Sequence, residues 1–251
     1  MDKSEDAFVF PDLSEPYASA FQAAVSFIND RYEPSGILVT GSIIRGNPHP
    51  ASDLDIVVTH PHHWRQRVQR RFGTVPAEMF VNPPFALEQA MDRDRTSGRP
   101  VMVHMLATGT ILSDSDGALE TLQQTAKELL AKGPSCTPEH LIQQRYYTAT
   151  QFEDATDIAA IDPELASAFV TDALLSAMRV MFLRDGQWLP RHKLLLVEFA
   201  RRYPDWGGIV REALRAQSIT EKTGLAAPFI RHAAGATGFF EWESTPQPVK
   251  P

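Results

Sequence analysis

A single cysteine, Cys136, excludes an intramolecular disulfide and is too little for a thiolate metal cluster. Basic side chains are scarce as well: 24 Lys and Arg stand against 31 Asp and Glu, a formal net charge of −7. That balance argues against a protein that grips long nucleic acid mainly through phosphate contacts, which needs a surplus of positive charge on one face. Nowhere does the chain approach the ~20 continuous apolar residues of a membrane helix, so no membrane association is expected. The first residues, MDKSEDAFVF, carry an early acidic pair and no basic segment leading into an apolar one, so a cytoplasmic location is expected.

What remains is ordinary globular composition, 43% hydrophobic and 22% charged, in a chain of 251 residues that can bury either one large core or two modest ones. Phe21, Val25 and Ile28 recur at helical spacing, which predicts an opening helix over residues 17–32 that stops before Pro34-Ser35-Gly36. Short, β-branched runs at 37–40 and 56–59 predict two neighbouring strands joined by a Gly-, Asn- and Pro-containing connection. Residues 64–72 are expected to form a second helix whose arginines are solvated, and residues 77–81 a third strand carrying Glu78. Residues 100–108 read as a helix stopped by Gly109, with a short strand at Ile111-Leu112.

From about residue 119 the β signals vanish and amphipathic stretches follow at 119–131, 138–161, 164–183, 190–203 and 206–216. Lys132-Gly133-Pro134-Ser135 is the best candidate linker. The expected fold is therefore α+β: a small mixed-sheet domain over 1–132, a helical bundle domain over 133–243, and a disordered tail over 244–251 with three prolines.

The informative stretch is GSIIRGNPHPASDLD, Gly41 to Asp55, which starts where one predicted strand ends and finishes where the next begins. Residues two apart on a strand share a face, so Asp53 and Asp55 present paired carboxylates. Such a pair repels unless a cation lies between, and Mg²⁺, a hard ion commonly held by one or two carboxylates plus substrate phosphates, meets that need. Gly41 and Ser42 supply a turn where backbone approaches phosphate and a hydroxyl that bonds to it, and Arg45 can add charge. Glu78 is the third carboxylate, able to ligate a second metal or accept a proton.

Gly41-Ser42, Gly46 and Ser52-Asp53-Leu54-Asp55 resemble the signature of the nucleotidyltransferase superfamily of the DNA polymerase β type. The resemblance covers about residues 37–112, and the helical half is similar in layout to aminoglycoside nucleotidyltransferases. It implies transfer of a nucleoside monophosphate, AMP from ATP or another NMP from its NTP, to a hydroxyl of a small-molecule acceptor, with Mg²⁺ on Asp53 and Asp55 and pyrophosphate released. It selects Glu78 as third carboxylate, with Glu153 and Asp154 in reserve as the base. Lys193, in QWLPRHK, inherits a possible contact with the nucleotide phosphates. An antibiotic-resistance role fits the acidic residues Glu139, Glu153, Asp154, Asp157, Asp162, Glu164 and Asp172, which would attract a polycationic drug. The alternative is a regulatory, antitoxin-type nucleotidyltransferase that modifies or binds a protein partner; oligomeric state is not read. His60, His62 and His63 invite a zinc reading, which the lack of an accompanying cysteine pair disfavours.

Overall fold

The computed structural model describes residues 11–49 and 51–246, which divide into two compact units: 1–94 with 100–132, and 95–99 with 133 onward. The fold is α+β, a mixed sheet followed by helices.

The first unit opens with α1 (Tyr17–Tyr32), whose Phe21, Val25 and Ile28 are buried as their spacing requires. Five strands follow in part: β1 (Gly36–Thr40), β2 (Leu54–Thr59), β3 (Gln66–Phe72), β4 (Val75–Asn82) and β5 (Thr110–Asp114). Their order across the sheet is β3-β4-β2-β1-β5, with β2 and β4 parallel and the other neighbours antiparallel. Ile37, Val39, Ile56, Val58, Met79 and Val81 share one core cluster with the apolar face of α1. In β4 the alternation is complete: Val75, Ala77, Met79 and Val81 are buried and Pro76, Glu78, Phe80 and Asn82 half-buried, which fixes Glu78 on the face away from that cluster. Helices α2 (Pro84–Ser97), α3 (Val101–Thr108) and α4 (Ala118–Lys132) complete the element list of this part of the chain. Asp94 caps α3 from a distance, accepting from the Val103 N–H at 2.9 Å, and burial raises its carboxyl pKa above the usual range.

The helix expected over 64–72 is a strand. A charge run in RQRVQRR suggested a solvated helix face, yet these residues form β3, an edge strand paired with β4 through the two-residue turn Gly73-Thr74, where Gly73 has φ +59°. An edge strand leaves one side open to water, so charge there costs little, and the hairpin turn outweighs helix propensity. Helix α2 was not anticipated either. Pro84, which follows β4 closely, opens this helix, since a missing N–H costs nothing at the first turn.

The second unit contains α5 (Pro138–Ile158), α6 (Pro163–Arg184), a 3₁₀ turn (His192–Leu194), α7 (Leu195–Arg202), α8 (Pro204–Arg215) and α9 (Ile219–Ala234). Thr137 and Asp162 cap α5 and α6 by accepting from His140 N–H at 3.1 Å and Leu165 N–H at 2.9 Å. Helix α6 is long and apolar enough to pass for a membrane span, but 56% of its apolar window is buried, and Val170, Leu174, Met178 and Met181 form the middle of the unit's core. The helix expected to start at Pro190 begins only with the turn at His192. Helix α9 is absent from the sequence-based expectation because Gly224 and Pro228 interrupt its pattern; its start is nonetheless marked by Ser218, which accepts from the Glu221 N–H at 3.2 Å. Of the expected tail, residues 244–246 are coil with Thr245 donating to Glu139 at 3.1 Å, and 247–251 lie outside the described residues.

Candidate functional site

Strand β1 ends at Thr40, which pairs with Asp55 at the start of β2, and Asp55 in turn pairs with Glu78 in β4. Asp53 sits one residue before β2, outside the strand in which both aspartates were expected. The register nonetheless brings one carboxylate oxygen from each of Asp53, Asp55 and Glu78 within 4.8 Å of one another, all three half-buried. Hard oxygen donors converging at that spacing fit a divalent cation of the Mg²⁺ type, which would also relieve their mutual repulsion.

The turn after β1 is shaped for this cluster. Gly41 is buried with φ +97°, and a Cβ built on it would lie 2.6 Å from Asp55 Oδ2, so no larger residue fits without displacing the carboxylate. The following residues fold tightly, with Asn47 N–H donating to Ser42 C=O at 2.9 Å and Gly46 N–H to Ile43 C=O at 3.1 Å. Ser52 ties the loop back: its Oγ accepts from His49 N–H at 2.8 Å and lies 2.7 Å from Ser42 Oγ. When Ser52 donates in that pair, the Ser42 proton is left for a ligand oxygen. Arg45 is exposed in the same turn.

Glu78 is gripped from the edge strand. Gln69 donates to its Oε1 at 2.7 Å and Arg67 Nε at 3.0 Å, and the Arg67 guanidinium completes an ion pair with the same oxygen. Burial alone would raise the carboxyl pKa; the Arg67 hydrogen bond, the Gln69 hydrogen bond and the Arg67 charge together outweigh it and leave Glu78 below the usual carboxylate range. Arg67 and Gln69 were missed in the sequence because β3 was read as a helix; the signal that finds them is Gly73 between two β-compatible runs.

Other sequence-singled residues lie elsewhere in the chain. Lys193 is exposed on the 3₁₀ turn of the second unit, and Glu153 and Asp154 lie on its α5. Several acidic residues of the helical half have structural work: Glu139 accepts from Thr245, Asp162 caps α6, and Asp172 accepts from Tyr147 Oη at 2.6 Å. His60 is fully buried, stacks on Trp64 at 4.0 Å and accepts the His62 N–H at Nδ1, while its Nε2 has no hydrogen-bond partner among the described residues. Burial first, then the His62 charge, lowers its pKa.

A model of the nucleotidyltransferase domain matches residues 23–84, the span from α1 through β4 that carries the turn and all three carboxylates. Among solved structures, a nucleotidyltransferase-like protein from Exiguobacterium sibiricum 255-15 superposes with a TM-score of 0.55 at 16% identity, covering 86% of this chain and 73% of that one. That likeness is one of fold. No curated protein sequence matches the chain.

Proposed function

We propose that this chain, whose residues 23–84 match a nucleotidyltransferase domain, transfers a nucleoside monophosphate, AMP from ATP, to a hydroxyl of a small-molecule acceptor. The observation that carries this reading is the convergence of Asp53, Asp55 and Glu78 beside the Gly41-Ser42 turn. Asp53, Asp55 and Glu78 would hold Mg²⁺, which, when bound, neutralises charge around the transferred phosphoryl group. Gly41 gives the triphosphate close access to backbone, and Ser42 donates to a phosphate oxygen; Arg45 adds charge from the same turn. The acceptor oxygen forms a bond to the α-phosphorus as the bond to the departing diphosphate breaks, and the hydroxyl proton passes to solvent or a nearby base. Glu78 suits the ligand role better than the base role, because a carboxylate held below its usual pKa is ionised at neutral pH and a weak proton acceptor.

The test is pyrophosphate release from each NTP with Mg²⁺ across a panel of aminoglycosides, sugars and other hydroxylated compounds, with Asp53→Asn as the blank. Acceptor-dependent release that the variant lacks supports the reading. Release that Asp53→Asn retains would move the chemistry away from this cluster.

A further inference from the structure

The lateral order of groups across the sheet is informative about the acceptor. The Gly41-Ser42 turn leaves β1, Asp53 and Asp55 stand at the start of β2, Glu78 is on β4, and beyond it lies the edge strand β3. An in-line displacement needs entering and leaving oxygens on opposite sides of the phosphorus. With the departing diphosphate over the turn on the β1 side, the attacking hydroxyl comes from the β4-β3 side.

That side is basic. In β3, Arg67, Gln69 and Arg71 pair with Phe80, Glu78 and Pro76, so the three alternate onto the face that carries Glu78. Arg70, between them, turns to the opposite face, its guanidinium 4.8 Å from the Phe27 ring centroid. Asp53, Gln69, Arg71, Pro76 and Glu78, together with Arg70 and Ala77 from the paired stretches of β3 and β4, line one open cavity of about 380 Å³. Arg67 is committed to Glu78 and to the Phe80 ring, 4.7 Å away, whereas among the described residues Arg71 spends one donor, on Thr74 C=O at 3.0 Å. A guanidinium has five donors in a planar fork matched to phosphate and carboxylate, so most of the Arg71 fork remains for a ligand. Charge on an edge strand also discourages pairing with other chains, but that needs no donors aimed at the carboxylate face.

We infer that the acceptor is a small anionic molecule whose phosphate or carboxylate is held by Arg71, with Gln69 and Arg67 beside it, while its hydroxyl faces the carboxylates. The inference rests on the proposed transfer reading. It favours an anion over a polycationic aminoglycoside, which would place like charges against β3. It favours a small molecule over a nucleic acid because this short row of donors, in a chain of net charge −7, does not make a track for a polyphosphate backbone.

The experiment begins with loading: binding of a non-hydrolysable ATP analogue with Mg²⁺ is measured first, for wild type and each variant. Failure to load overturns the transfer reading itself. On the loaded protein, inorganic phosphate is titrated at constant ionic strength while the arginine Nε–H resonances are followed by NMR. The expected result is a saturable shift at Arg71 and a roughly tenfold or greater loss of apparent phosphate affinity in Arg71→Ala. An unresponsive Arg71, or unchanged affinity in Arg71→Ala, overturns the inference while leaving the transfer reading standing. Competition then separates the sources: a hexose 6-phosphate should displace phosphate where free hexose and an aminoglycoside do not. Displacement by a 3′-hydroxyl oligoribonucleotide at a tenth of the hexose phosphate concentration would replace the small-molecule assignment with a nucleic-acid one.

Discussion

Replacing Asp53 by Asn should make the protein more stable without metal and less stable with it. The three carboxylate oxygens lie within 4.8 Å of one another, so removing the Asp53 charge relieves its repulsion by the other two. At that separation two unit charges repel by about 0.9 kcal/mol in water and about 3.5 kcal/mol at an effective dielectric of 20; half-buried groups fall between. Asn keeps the shape and removes the charge. In EDTA, Asp53→Asn should therefore gain about 1–3 kcal/mol, or on the order of 2–4 °C in Tm per kcal/mol. An ion at a hundred times its Kd stabilises wild type by about 2.7 kcal/mol, so added Mg²⁺ or Mn²⁺ should reverse the order of the two proteins. Differential scanning calorimetry of both, in EDTA and across an ion titration, reads the crossing. A variant that is no more stable in EDTA and follows the wild-type ion dependence would refute the reasoning that these carboxylates form a cation site.

Gly41→Ala should cost about 1–2 kcal/mol in denaturant titration from its positive φ alone, and lower metal affinity about tenfold or more because the added methyl meets Asp55 Oδ2; unchanged ion binding would contradict the packing argument. Glu78→Gln should retain nucleotide binding and lose most of the transfer rate, whereas an unchanged rate would remove Glu78 from the site. The Glu78 pKa is depressed in the fold, so its contribution to stability is present above about pH 4.5 and lost as pH falls through the folded value; Arg67→Ala should weaken that dependence in urea titrations across pH. His60, also depressed, works the other way in charge: the unfolded chain takes up a proton that the folded one resists, so stability should fall as pH drops below about 6.5, and His60→Gln should flatten that slope.

The carboxylate cluster was legible because its parts are local and their period is two. A Gly-Ser turn, two aspartates and an apolar strand stand in one short stretch, and Glu78 follows from the alternating strand expected over residues 77–81. The grip on Glu78 was not legible, since Arg67 and Gln69 reach it only through the β3-β4 register, and a run of arginines and glutamines has helix propensity as good as its strand propensity. Helix α9 was lost to Gly224 and Pro228, two residues that break patterns locally but are tolerated where burial of Ala226, Phe229 and Ile230 holds the helix. The acidity of the helical half does not by itself point to a polycation, because a formal charge count does not distinguish a cap such as Asp162 or a tyrosine partner such as Asp172 from a binding surface.

The most direct test of the central claim is transfer of label from α-³²P NTPs, with Mg²⁺, into any acceptor of a small-molecule extract, run beside Asp53→Asn. The account predicts a new labelled product, with pyrophosphate released in equal amount, from wild type and none from the variant. Nucleotide binding with no labelled product above the variant's background would contradict it.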